Sequence, residues 1–211
     1  LYQDTLIMGF ATSEDYSASP GYVRAYHLPD GQLQWTFRTI PAAGEFGADT
    51  WPADNMDKRG GANAWAGLTV DQERGIVFVP TGSAGYDFYG ANRAGDNLFA
   101  NCLIALNANT GERLWHYQIV RHDLWDRDLP SPPNLVTVHR NGREIPAVAQ
   151  STKSGHVFVF HRETGEPLFP IEEVPVVGTG APGEHLPASQ PIPTAPPSFV
   201  NLHFELTELE K

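Results

Sequence analysis

Apolar and polar residues alternate over short stretches of this chain, the period-two pattern of β-strands with one buried face. Residues 21–37 read GYVRAYHLPDGQLQWTF and residues 101–117 read NCLIALNANTGERLWHY. In each, an alternating segment ending near an alanine (Ala25 or Ala105) leads to a turn at Gly31 or Gly111. A second segment then carries a tryptophan, Trp35 or Trp115, ten residues after the alanine. Residues 155–169, GHVFVFHRETGEPLF, form a degenerate third copy with Val159 in the alanine's place and Phe169 in the tryptophan's. Each copy predicts a β-hairpin. Further strands are expected over residues 67–70, 76–80, 135–139 and 147–150, so that two hairpins make a four-stranded unit.

Self-similar four-stranded units, each with an indole able to fill the gap to the next sheet, are the pattern of a β-propeller. The expected fold is therefore all-β, a partial β-propeller of about two and a half four-stranded blades within residues 1–170: a half-blade over residues 1–40, a blade near 65–120 and another near 133–170. Propellers close with about four to eight blades, so the chain reads as a piece of a larger ring. Residues 171–211 hold many of the prolines and little strand pattern. They are expected to run as an extended connection over the propeller face and to narrow the entrance to it.

Composition narrows the picture. With 20 glycines, 18 prolines and only 18% charged residues, the chain favours short strands joined by ordered loops. A net charge of −11 with no basic stripe excludes nucleic acid and anionic membrane surfaces as partners. No apolar run approaches the roughly 18–20 residues of a membrane span. The start at Leu1, without a basic-then-apolar leader, is read as a processed product or an internal fragment. The single cysteine, Cys102, allows no internal disulfide and no cysteine zinc cage; preceding Leu103-Ile104-Ala105-Leu106, it is expected as a buried structural thiol.

Chemistry concentrates in residues 122–130, HDLWDRDLP, where three carboxylates, an imidazole, an indole and an arginine crowd together. The stretch follows a strand over residues 114–120, and Pro130, Pro132 and Pro133 exclude a helix, so it is expected as a structured loop. Carboxylates this close repel unless a cation, an arginine or a substrate proton compensates them. Two readings of the loop stand side by side: a functional loop, and a solvated acidic turn in which Trp125 merely plugs a core. His122-Asp123 does not suit a metal phosphohydrolase, whose pairs lie on helices with further histidines.

The alanine-to-tryptophan repeat, the segment Gly60-Gly61-Ala62-Asn63-Ala64-Trp65, the 122–130 loop, Lys153 and the tail residues Gly183-Glu184, Ser189-Gln190-Pro191-Ile192-Pro193 and Pro196-Pro197 together resemble the pyrroloquinoline-quinone (PQQ)-dependent dehydrogenases, most closely the glucose dehydrogenase branch. The resemblance implies an eight-bladed propeller of the bacterial periplasm that holds PQQ and a divalent cation, calcium or magnesium, near the ring axis. It implies Asp126 as general base and Lys153 as the cation beside the quinone oxygens. Trp65, outside the alanine-to-tryptophan frame, would stack on the cofactor rather than dock a blade, with Asn63 also at the cofactor. Glu14 and Asp15, with Asp126, would be metal ligands. Ser83 stands where the alcohol-oxidising branch carries a metal-bound asparagine, which leaves it a water-mediated contact or none. Asp123 and Asp128 are left unassigned between accepting hydrogen bonds and, for Asp128, approaching the metal.

The implied reaction is oxidation of a sugar, such as a glucose-like aldose, or of a cyclic polyol by hydride transfer to the quinone, with ubiquinone or a cytochrome as electron acceptor. The alternative is a non-catalytic propeller scaffold of the same ancestry, which fold alone does not distinguish. Asp126, Lys153 and Trp65 favour the enzyme, since a scaffold needs no base, cation and stacking platform on one side of a ring. The 211 residues alone are expected to self-associate and to be inactive, because an open arc leaves strand edges unpaired.

Overall fold

The indoles of the repeat lock one sheet onto the next. Across the hairpin of β2 (Val23–His27) and β3 (Leu33–Phe37), Ala25 lies opposite Trp35; across that of β6 (Cys102–Asn107) and β7 (Arg113–Gln118), Ala105 lies opposite Trp115. The Trp35 Nε1–H donates to the Ala108 carbonyl of the second sheet at 3.2 Å, and that of Trp115 donates to the Arg162 carbonyl beyond the third at 2.9 Å. Each ring rests on the turn glycine of the following unit: a Cβ on Gly111 would stand 2.5 Å from Trp35, and one on Gly165 would stand 2.6 Å from Trp115. Gly31, Gly111 and Gly165 share one left-handed conformation, with φ of 70°, 72° and 71°. The repeated sequence is thus a repeated joint.

The computed structural model describes residues 1–54 and 58–202, and among these it has four antiparallel sheets. The first is ordered β1-β2-β3, with β1 spanning Thr5–Met8; where a half-blade was expected, the additional strand makes it three-stranded. The second is a complete four-stranded blade, β4 (Thr69–Asp71), β5 (Ile76–Pro80), β6 and β7. The third is ordered β10-β9-β8, from β8 (Asn134–Arg140), β9 (Arg143–Ser151) and β10 (Val157–His161). Asn141 and Gly142, both at positive φ, close the β8–β9 hairpin as a two-residue loop does when it matches strand twist. The third repeat's second strand does not form: it shrinks to a bridge between Phe160 and Pro167, flanked by bonds from Leu168 N to Val159 O and from His161 N to Glu166 O.

Strand β5 is buried throughout and serves two cores. Val77 and Val79 join Val23, Ala25, Trp35, Ile104 and Leu106 between the first and second sheets; Ile76 and Phe78 join Ala105, Trp115, Val148, Phe158 and Phe160 between the second and third. This face-to-face stacking of adjacent sheets is that of a partial propeller. Cys102 is fully buried in the first core, and burial pushes its thiol well up, as suits a structural role. The stretch after residue 170 departs from a plain extended connection. β11 (Ile171–Pro175) and β12 (Ser189–Pro193) pair as an antiparallel ribbon, with Ile171 packed against the second core. Its prolines are compatible with edge strands, which need fewer ladder donors. Residues 203–211 of the expected connection lie outside the described residues.

Gly31 and Gly111 share a backbone conformation but differ in surroundings, since nothing lies within 4 Å of a Cβ at Gly31. Gly31→Ala therefore incurs only the left-handed backbone cost of about 1–2 kcal/mol. Gly111→Ala adds a clash with a rigid ring and lowers stability further, by an increment that Trp35→Ala removes. A double-mutant cycle by chemical denaturation checks the difference.

Candidate functional site

The acidic loop enters the protein at both ends and arches out between them. His122, Asp123 and Leu124 are buried, as are Asp128 and Leu129, while Trp125, Asp126 and Arg127 form an accessible crest. Trp125 is 72% exposed, which removes the core-plug reading of this residue. His122 and Asp126 take positive φ values of 45° and 50°, turning the chain at the entry and at the crest.

Asp123 holds the loop together from within. One carboxylate oxygen accepts the Trp125 N–H at 3.0 Å, and the other accepts the Ser83 hydroxyl, the Asn101 amide and the Arg127 N–H. Its backbone carbonyl accepts from the buried Arg93 guanidinium, which also donates to Tyr86 O and Asn97 Oδ1. Burial brings the Arg93 pKa down to about 10, opposed by Asp123, Asp87 and Glu184, so the side chain remains a cation at neutral pH. His122 bonds Gly95 O through Nδ1 at 2.8 Å; burial lowers its pKa and favours the neutral ring.

Asp128 joins three of the elements. One oxygen accepts the Trp65 Nε1–H at 2.7 Å and lies 3.9 Å from Lys153 Nζ; the other accepts the Ser83 N–H at 2.5 Å. A Cβ on Gly82 would come within 2.7 Å of this carboxylate, so the residue before Ser83 has to be small. Lys153, in the turn after β9, donates to Asp126 Oδ1 at 2.7 Å. Burial alone would lower its pKa, but Asp126, Asp128 and Glu14 more than offset this and raise it, so the ammonium stays charged. Trp65 keeps 42% of its surface exposed and docks no sheet. The structure therefore brings Asp126, Lys153 and Trp65 together around Asp128.

Glu14 faces the same cluster. Burial raises its pKa first, Asp128, Asp87 and Asp126 raise it further, and Lys153 partly opposes them. Asp15 is exposed and receives the Ser13 hydroxyl at 2.6 Å. Asn63 is buried, and its amide is taken up by Thr12: it accepts from the Thr12 hydroxyl at 2.7 Å and donates to the Thr12 carbonyl at 3.0 Å. Its side chain thus braces the loop leading to Glu14. Ser83 is likewise committed, to Asp123 and Asp128.

Asp87, unassigned from sequence, is buried beside the cluster, and its pKa is raised by burial and then by Asp126, Asp128 and Asp123. Among the described residues, no three His, Cys, Asp or Glu side chains converge as a ready metal cage. The mutual repulsion felt by Glu14 and Asp87 nonetheless shows carboxylates in excess over the one nearby ammonium, the electrostatic setting that a divalent cation with oxygen ligands would relieve. The open Trp65 face next to Lys153 suits a planar anionic ring.

Comparison with known proteins follows the same lines. The family model described as PQQ glucose/ethanol/alcohol dehydrogenase, β-propeller domain, matches residues 1–210. Quinoprotein glucose dehydrogenase A of Acinetobacter calcoaceticus is 34% identical over 203 residues, covering 94% of this chain and 25% of that protein. The quinate/shikimate dehydrogenase (quinone) of Acinetobacter baylyi is 35% identical over 201 residues, covering 93% of this chain and 24% of that protein. The crystal structure of the quinohemoprotein alcohol dehydrogenase from Comamonas testosteroni superposes with a TM-score of 0.73 at 26% identity, covering 92% of this chain and 30% of that one. The chain thus spans about a quarter of the length of these curated relatives.

Because four donors converge on buried Asp123, Asp123→Asn turns an amide N–H₂ or a weaker acceptor toward them. It is expected to cost on the order of 1–3 kcal/mol. Ser83→Ala, which removes one of those donors, costs less. Urea titration of both variants checks the order.

Proposed function

The chain belongs to the PQQ-dependent glucose/ethanol/alcohol dehydrogenase β-propeller family, and on that premise we propose that the protein oxidises a sugar, such as a glucose-like aldose, or a cyclic polyol, with PQQ as its redox cofactor. The observation that carries the reading is the junction at Asp128, where one carboxylate oxygen is shared by the Trp65 indole and approached by Lys153, itself paired with Asp126. A flat face, a cation and the proposed base are thereby linked through one carboxylate and one lysine. The glucose and quinate/shikimate names of the relatives support the sugar and cyclic-polyol classes respectively.

When bound, PQQ would supply the electrophilic carbonyl that accepts a hydride. Trp65 would hold one face of the ring, its tilt set by the bond from Nε1–H to Asp128. Lys153 supplies fixed positive charge for the negative charge that grows during reduction. Asp126, half-exposed on the crest and aimed by Lys153, takes the substrate hydroxyl proton as the C–H bond breaks. Glu14 and Asp126 offer oxygen ligands for calcium or magnesium, with Asp15 on the same loop; such a cation would act as a Lewis acid. Asn63 contributes through the Thr12 brace that sets the Glu14 loop. Electron transfer to ubiquinone or a cytochrome, and a periplasmic location, complete the proposal by family resemblance. A non-catalytic scaffold would have no use for this convergence of base, cation and stacking face.

The test is made on the full-length protein reconstituted with PQQ and calcium or magnesium. Sugar- or polyol-dependent dye reduction is expected. Asp126→Asn should lower turnover by roughly 10² to 10⁴ while cofactor retention changes less. Lys153→Ala should lower both turnover and retention. Wild-type turnover in the Asp126→Asn variant would refute the base assignment, and no PQQ-dependent reduction by the wild type with any sugar or polyol would refute the function.

A further inference from the structure

Among its contacts with the chain, the ribbon of β11 and β12 holds one residue through both backbone and side chain, and that residue precedes the acidic loop. Past the end of β7, the backbone of Arg121 is served by a single side-chain amide: Arg121 N–H donates to Gln190 Oε1 at 2.9 Å, and Gln190 Nε2 donates to the Arg121 carbonyl at 2.7 Å. This pair of bonds imitates a step of β-ladder with a side chain in place of a strand. The Arg121 guanidinium forks onto Glu173, with NH1 to Oε2 at 2.6 Å and NH2 to Oε1 at 2.7 Å. The Ser189 hydroxyl, on the partner strand of the ribbon, donates to Glu173 Oε2 at 2.6 Å. Together Arg121 and Ser189 bring the Glu173 carboxyl down to about 2, so the fork persists through the neutral range.

Beside this grip the ribbon and the loop stand apart. A cavity of about 240 Å³ separates Val176, Leu186 and Ile192 from Leu124, Trp125 and Arg127. The ribbon therefore reaches the loop chiefly through Arg121. The loop's other end is fixed by Asp128 on Trp65 and Ser83, and its middle by Asp123. Between these restraints the crest turns at Asp126 in a left-handed conformation, which a non-glycine residue keeps only when its surroundings over-determine it.

We propose that Glu173 and Gln190 are positioning residues for the Asp126 loop: by clamping Arg121 through side chain and backbone, the β11–β12 ribbon fixes the entry of the loop and so the aim of its crest. This gives the stretch after residue 170 a part in the chemistry beyond narrowing an entrance, and it rests on Asp126 acting as base. Both residues bond Arg121 rather than Asp126, Lys153 or Trp65, so both act through Arg121.

The experiment compares Gln190→Leu, Glu173→Ala and the milder Gln190→Asn and Glu173→Gln in the full-length protein. Two quantities are read: amide hydrogen exchange over residues 122–128 without cofactor, and kcat against KM with PQQ and a divalent cation. The expected result is faster exchange confined to residues 122–128, a fall in kcat on the order of tenfold, and little change in KM or cofactor affinity, with the milder variants intermediate. Glu173 is half-exposed, so its variants retain the fold. Wild-type exchange over 122–128 would overturn the clamp, and faster exchange with unchanged kcat would overturn its positioning role. The exchange measurement needs no turnover. A wild type without PQQ-dependent activity would refute the function while leaving the clamp to be judged by exchange.

Discussion

A carboxylate buried without donors is too costly to keep, and one short loop buries a carboxylate at each end, Asp123 and Asp128. Much of the local structure answers this demand. Asn101, at the start of the second repeat, and Ser83, just past β5, supply donors to Asp123; the indole of Trp65 and the Ser83 N–H supply those to Asp128. Arg93 adds a buried positive charge behind the loop. The donors come from parts of the chain far apart in sequence, so satisfying the two carboxylates ties the segments flanking β4, β5 and β6 of the second sheet to the loop that leads from β7 to the third.

That tie exists because the sheets are stacked at a fixed spacing. An indole seated on the glycine turn of the next repeat fills the gap between them, and a side chain on that glycine would hold the sheets apart. The stacking puts the end of β5, with Thr81, Gly82 and Ser83, next to the loop after β7 and the turn after β9 that carries Lys153. Family membership, shown across nearly the whole chain, fits this repeated joint. The fold and the site therefore share one cause: the repeat sets the spacing, and the spacing sets which loops meet.

The hairpins were legible in the sequence because their signals are local. Glycine at the turn and the alanine-to-tryptophan interval lie within one copy, and the acidic loop declares itself by composition. The failures are equally physical. The third repeat is degenerate, and its second strand is reduced to a bridge at Pro167, while the ribbon's strands are short and carry Pro175, Pro191 and Pro193, which hides their pairing. Asp87, Arg93 and Glu173 gave no signal, and Gln190 only a place in the tail motif, because their meaning lies in partners from other segments: Arg93 meets the Asp123 carbonyl, and Gln190 meets Arg121. Asn63 was recognisable as part of a motif, yet only the structure shows its amide spent on Thr12.

The same accounting separates the carboxylates that build the site from those free to serve it. Asp123 has four donors, and Asp128 has two with an ammonium nearby, so neither can turn toward a ligand without leaving buried donors unpaired. Asp126 has one strong partner, Lys153, and lies on the exposed crest; Glu14 is set against like charges that raise its pKa. A substrate proton or an added cation would therefore be met by Asp126 and Glu14, while Asp123 and Asp128 hold the framework. Replacing a framework carboxylate should disturb geometry before chemistry, and replacing Asp126 should do the reverse. The division follows from hydrogen-bond supply, and it leaves Asp126 and Glu14 as the carboxylates free to meet a proton or a cation.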